Sequence, residues 1–187
     1  TLSIVGLMAR DPELFVEVLS HVFRGKKASP EEVVTDGMKA RARASYELLR
    51  MFKTVPGLKG TKVDLNDLAC WVSQARSIAG PKDMTEICDI HIGHLLAYAP
   101  SDPDETSWPP SAVCSVIEST ASGDLERGFA TECFNKRGVY GKAINEGGDQ
   151  ERRLAEQYQH WSDSTRQFSR TSAMLAGIAE GWNRQAD

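Results

Sequence analysis

Apolar residues at helical spacing, interrupted by proline and glycine, constrain the fold of this chain more than any other sequence feature. Asp11-Pro12-Glu13 places a capping carboxylate before a proline at the first helical position, with an acid near the positive helix end. The apolar residues that follow repeat at helical spacing: Leu14, Phe15, Val18, Leu19 and Val22. No segment shows sustained alternation of apolar and polar residues. The sequence therefore predicts an all-α protein.

The same signals predict the other helices. Asp64, with Asp67 three residues later, is a variant of the capping box. Residues 83–98 are apolar around much of the helical circumference, which is typical of a helix buried on several sides, and we expect this helix at the centre. Further helices are predicted at 38–54, from Pro110, from Gly123, at 149–168 and at 170–185. We expect about eight or nine helices in antiparallel pairs, forming an irregular helical bundle with solenoid-like stacking.

The length of the chain predicts one domain. A chain of 187 residues has the common size of a single compact unit, so we take 1–187 as one all-α domain. Its first residue, Thr1, favours a fragment of a longer chain over a processed start. No apolar run approaches the roughly 20 residues that span a bilayer, and no leader peptide opens the chain. These features predict a cytoplasmic protein that does not bind membranes.

The four cysteines predict a reducing compartment. Cys70, Cys88, Cys114 and Cys133 form no Cys-x-x-Cys pair, and each lies in an apolar or helix-like stretch. Because free cysteine is commonly a small buried hydrophobic residue, we expect four buried thiols rather than a disulfide or zinc framework.

Charge is segregated along the sequence. The net charge is −4, but residues 1–62 hold 11 Lys and Arg against 7 Asp and Glu. Residues 83–126 hold 9 acids and no Lys or Arg. Because such asymmetry concerns surfaces and partners rather than the fold, it favours a macromolecular partner bound through charge.

One helix carries a candidate binding face. Four cations and an aromatic residue project within about 80° of one another on the helix predicted at 38–54. These residues are Lys39, Arg43, Tyr46, Arg50 and Lys53. Such a face could grip an acidic protein surface or a phosphate backbone. The ordinary alternative, which we favour, is the solvated side of a two-faced helix that buries Ala44, Leu48, Met51 and Phe52.

No catalytic or metal-binding pattern is present in the sequence. Cys88, His91 and His94 are zinc-ligand types, but on one helix Cys88 and His94 differ by about 120°, so the three do not converge on one ion. Nucleophile elbows and the His-Glu-x-x-His motif are absent from the sequence. The stretch 138–143 is not a phosphate-binding loop, because its lysine is not followed by Ser or Thr. We predict no enzymatic activity and no cofactor.

A glycine-rich stretch, 137–148, is the second candidate site. It carries polar residues on what we expect to be a long loop or small hairpin, and functional groups often collect on loops held by a rigid scaffold. The residues are Arg137, Tyr140, Asn145 and Glu146.

Two stretches resemble a known group of proteins. The run from Asp11 to Arg24, and the run Glu146-Gly-Gly-Asp-Gln-Glu-Arg152 continuing through Tyr158 and Trp161, are similar to the C-terminal helical region of large, uncharacterised bacterial multidomain proteins. The resemblance implies a domain of a longer bacterial chain and supplies no defined activity. We therefore predict a non-catalytic helical scaffold or protein-interaction domain, with nucleic-acid contact through the basic face as the alternative.

Overall fold

The computed structural model describes residues 3–25, 34–136 and 148–186. Within these residues the chain forms nine α-helices and one short hairpin. The helices are α1 Ile4–Met8, α2 Pro12–Val22, α3 Asp36–Met51, α4 Leu65–Ala79, α5 Thr85–Leu96, α6 Ser111–Thr120, α7 Gly123–Asn135, α8 Asp149–Ser164 and α9 Ser169–Ala186. A single 3-10 turn, Gly80–Lys82, joins α4 to α5. The predicted all-α class is confirmed.

Capping residues begin the helices where the sequence predicts. The carboxylate of Asp11 accepts hydrogen bonds from the backbone amides of Glu13 and Leu14 at the start of α2. The carboxylate of Asp64 accepts one from the amide of Asp67 at the start of α4. These bonds satisfy amides that have no partner inside the helix, so local sequence is enough to set these boundaries.

Two short elements were not predicted. The first is α1, a single turn capped by Ser3. The second is the hairpin of β1 Leu58–Lys59 and β2 Lys62–Val63, in which Leu58 pairs with Val63. Gly60 adopts a positive φ of 64° in the turn, a conformation that glycine reaches without steric cost. Elements of two to five residues are too short to show a periodic apolar pattern.

The centre of the fold is the close crossing of α5 and α7. A Cβ added at Gly93 would lie 2.0 Å from the carbonyl oxygen of Leu125, and one added at Gly128 would lie 2.1 Å from that of Ile90. Each helix thus presents a glycine to the backbone of the other. Ile92 and Leu96 of α5 are fully buried, which agrees with the central position predicted for this segment.

The loop between α5 and α6 is fixed by Trp108, which is buried. Its indole nitrogen donates a hydrogen bond to the carbonyl of Ala99 at 2.9 Å. Its ring lies 4.7 Å from the ring of Trp161 and 5.4 Å from that of Phe129, measured between centroids. Trp108 is therefore a core residue that joins α7 and α8.

The acids of 83–126 serve contacts inside the fold. Glu118 of α6 accepts hydrogen bonds from the backbone amides of Arg170 and Thr171, and so caps the start of α9. The guanidinium of Arg170 in turn lies 2.7 Å from Glu126 of α7. Asp89 is buried and accepts two hydrogen bonds from Arg76, at 2.9 and 3.3 Å. Three of the nine acids in this stretch, Asp89, Glu118 and Glu126, therefore contribute to the packing of α4 to α9.

The expectation of four buried cysteines is wrong at one position. Cys88, Cys114 and Cys133 are buried, whereas Cys70 is exposed on α4. The helix turns its buried face toward α2 through Leu68, Trp71 and Val72, which leaves Cys70 on its outer flank. All four thiols are free. Among the described helices, none combines the length and apolar character that crossing a bilayer requires.

Candidate functional site

Helix α3 lies at the edge of the fold with most of its surface in solvent. Of its 16 residues only Ser45 is buried, and Leu48 and Leu49 are half-buried. Its side chains Tyr46 and Met51 are 52% and 60% exposed. An ordinary surface helix hides an apolar stripe wider than this, so α3 is under-packed for a helix of its length.

The predicted inner face of this helix is wrong in part. Ala44 and Met51 are exposed, although the sequence pattern predicts them inside. Phe52 is buried, and it lies just beyond the helix end, with its ring 5.8 Å from that of Phe15. The helix instead packs on α2 through the side of Ser45, whose hydroxyl lies 3.1 Å from Nδ1 of His21. The inward direction is therefore rotated away from the Ala44 and Met51 side.

All five residues of the predicted basic face are exposed. Lys39 lies 3.1 Å from Asp36, and Arg50 lies 3.6 Å from Glu47, so two of the four cations have an acid on the same helix. Arg43 forms no ion pair with any residue that the structure describes. Lys53 follows the end of the helix, and its ammonium lies 5.0 Å from the centre of the Tyr98 ring.

A cleft of about 230 Å³ opens at the C-terminal end of α3. Tyr46, Arg50 and Lys53 of the predicted face line one side of it. The facing polar groups come from elements far along the chain: His91 and His94 on α5, Tyr98 just after it, and Glu132 on α7. Its apolar lining is Phe15, Leu49, Phe52 and Leu95. The close approach of α5 and α7 is what brings Glu132 beside the histidines.

The acid of the cleft already has partners. Tyr98 donates a short hydrogen bond to Glu132, and the amide of Asn135 donates a second one at 3.4 Å. Burial and the Glu132 carboxylate raise the pKa of Tyr98, so the phenol keeps its proton at neutral pH. The negative charge of Glu132 is thus held against the α5 side of the cleft.

The two imidazoles of the cleft are neutral at pH 7. Burial, with a smaller effect of the neighbouring His94, lowers the pKa of His91 to about 4. Burial also lowers the pKa of His94, against an opposing effect of Glu132. The rings meet edge-on at 5.2 Å, and neither forms a hydrogen bond with a residue in the described part of the chain. Each therefore offers one N–H donor and one acceptor to the cleft.

No metal site is formed here by the residues that the structure describes, because no group of three or more His, Cys, Asp or Glu side chains converges. Cys88 is fully buried, and burial raises the pKa of its thiol to about 12. A protonated buried thiol is a poor metal ligand and a poor nucleophile.

The second predicted site cannot be placed. Arg137, Tyr140, Asn145 and Glu146 lie outside the described residues.

The lining of the cleft combines charged, hydrogen-bonding and apolar groups. It offers two cations, two neutral imidazoles and an aromatic wall. The sequence predicts the α3 side of the cleft but not the α5 and α7 side, because His91 and His94 form no convergent ligand set on their helix and Tyr98 and Glu132 carry no local signal.

Comparison with protein-family models, curated proteins and solved structures finds no match to this chain.

Proposed function

We propose that this is a non-catalytic helical domain that binds an acidic surface of a partner protein through the outer surface of α3. The observation that carries the proposal is that a helix of 16 residues buries one side chain and leaves Met38, Tyr46 and Met51 exposed. Its place in a larger bacterial protein rests on the sequence resemblance and stays a prediction.

The outward residues have the composition of an interface. Protein interfaces are enriched in Tyr, Met and Arg, and Tyr and Arg dominate the residues whose loss costs most affinity. The helix exposes Tyr46, two methionines and three arginines, the latter being Arg41, Arg43 and Arg50. Leaving such large apolar side chains in water is unfavourable by about 25 cal/mol for each Å² that a partner could cover.

The charge of the helix indicates an acidic partner. Helix α3 and the residues just after it carry five cations, from Lys39 to Lys53, and two acids, Asp36 and Glu47. Complementary charge steers the encounter of two proteins and suppresses wrong partners, while the apolar contacts supply affinity. The partner surface is therefore one with Asp and Glu around an apolar centre.

Nucleic acid is the second candidate, supported by the cations that project from one face. The protein candidate is favoured because α3 exposes Tyr46 and two methionines as well as arginines, a composition typical of protein interfaces. The exposed methionines also gain nothing from phosphate contact.

The test compares two double variants in affinity purification from cells that produce the chain. Arg43→Glu with Arg50→Glu reverses the α3 surface, and Arg153→Glu with Arg184→Glu reverses two exposed arginines on α8 and α9. A partner retained by the wild type and by the second variant, but lost from the first, is then purified. Reversing acids on that partner must restore binding to the first variant.

The same proteins are titrated with fluorescent duplex DNA and single-stranded RNA over a range of salt concentrations. We expect no binding that depends on α3. If the wild type binds DNA or RNA in a salt-dependent way and the Arg43 and Arg50 variant does not, nucleic acid rather than protein is the partner of α3. Retention of every partner by that variant would overturn the proposal.

A further inference from the structure

We propose that the cleft at the end of α3 binds a small organic carboxylate, a monoanion with an aromatic or other flat apolar body. This goes beyond the proposed function, because it assigns a small-molecule site next to the macromolecular surface.

The size and walls of the cleft define the body of the ligand. At about 230 Å³ it is smaller than the pockets that take drug-sized molecules, so it suits a single ring with a short substituent. Phe15, Phe52 and Leu95 supply apolar and aromatic walls, and Tyr46 lies at the opening. Rings pack on such walls edge-on or offset, with an energy beyond that of burial alone.

The charges of the cleft define the head of the ligand. Arg50 and Lys53 are two cations, and Glu132 is one anion held by Tyr98 and Asn135. The lining therefore has one positive charge in excess, which matches a monoanion better than the roughly two charges of a phosphate monoester.

Arg50 is available for this contact. Its interaction with Glu47 uses Nε at 3.6 Å, and within the described residues its two terminal nitrogens have no hydrogen-bond acceptor. A planar guanidinium recognises a carboxylate with two parallel hydrogen bonds, so these nitrogens are suited to the head of the ligand.

The histidines complete the set of donors. His91 and His94 have no hydrogen bond to described residues, yet their rings line a cavity. A neutral imidazole donates one N–H without adding charge, so each ring can donate a hydrogen bond to a carboxylate oxygen while the cleft keeps its preference for a monoanion.

The experiment titrates the purified chain with benzoate, followed by amide chemical shifts and by calorimetry. Benzamide is the neutral match for benzoate, and phenyl phosphate carries the higher charge. We expect benzoate to bind about tenfold more tightly than benzamide, with shifts at residues around the cleft. Arg50→Gln removes this preference, whereas Arg41→Gln, on the same helix but outside the cleft, keeps it.

Three results would overturn the proposal. These are no shift at millimolar benzoate, equal binding of benzoate and benzamide, or tighter binding of phenyl phosphate than of benzoate. An Arg50→Gln variant that keeps the wild-type preference would also exclude the assigned head group. Circular dichroism of both variants confirms that the helices are intact.

Discussion

Nδ1 of His21 lies 3.1 Å from Oγ of Ser45, and this contact joins α2 to the one buried residue of α3. The outward direction of α3 follows from it, because the side of Ser45 faces α2 while the side of Ala44 faces solvent. Both the proposed protein surface and the cleft depend on this orientation.

Leucine substitutions at these neighbouring positions test the orientation. Ser45→Leu adds volume against His21 and removes the hydrogen bond, so we expect the free energy of unfolding to fall by about 2 kcal/mol. Ala44→Leu places the same side chain in solvent and changes it by less than about 0.5 kcal/mol. Urea unfolding of both variants measures the difference. The reverse order of effects would mean that α3 packs as the sequence pattern alone predicts.

Glycine-to-alanine substitutions test the crossing of α5 and α7. Gly93→Ala places a methyl group 2.0 Å from the carbonyl oxygen of Leu125, and the backbones must separate. We expect a loss of about 3 kcal/mol, at the upper end of overpacking effects. Gly177→Ala is the matched control, since an added Cβ there meets nothing within 4 Å and α9 gains helix propensity of up to about 1 kcal/mol. Equal effects of the two substitutions would contradict the close approach.

Local sequence predicted the helices because their caps act within three residues. The carboxylates of Asp11 and Asp64 find amides on their own turn, so the pattern is complete without the rest of the fold. The cap of α9 could not be predicted, since Glu118 reaches Thr171 from a different helix. Because this capping residue lies 53 positions before the helix it caps, no short sequence motif contains both.

The inward face of α3 was mispredicted for a related reason. Apolar residues occur on two sides of the helix, with Met51 and Ala44 on one and Leu49 near Ser45 on the other. Periodicity gives no preference between two sides of similar content. The contact with His21 decides between them, and a buried serine is not a signal that hydrophobic patterns report. The α5 and α7 half of the cleft likewise depends on the glycine crossing rather than on any motif.

The buried ion pair gives a further prediction. The side chain of Asp89 is 2% exposed and that of Arg76 is 35% exposed. Arg76→Ala leaves a buried carboxylate with Ser122 as its remaining hydrogen-bond donor among the described residues, so we expect a loss of about 3 kcal/mol in the free energy of unfolding. Arg127→Ala removes an exposed arginine near Glu86 and Asp124 and costs less than about 1 kcal/mol. Similar losses for the two variants, measured by urea unfolding, would refute the difference in burial.

The last prediction concerns stability against pH. The folded-state pKa of His91 is about 4, lowered by burial and by His94, whereas an imidazole in the unfolded chain titrates near 6.5. Between these values the unfolded state binds more protons, so the free energy of unfolding rises with pH. Well above pH 6.5 the contribution of His91 to the free energy of unfolding does not change with pH. On going from pH 7 to pH 5, protonation of this imidazole in the unfolded chain lowers the free energy of unfolding by about 2 kcal/mol, at 1.36 kcal/mol for each pKa unit. Urea unfolding at both pH values measures this difference. His91→Gln reduces it by about that amount. A His91→Gln variant with the wild-type dependence would show that protonation of this imidazole is not linked to unfolding.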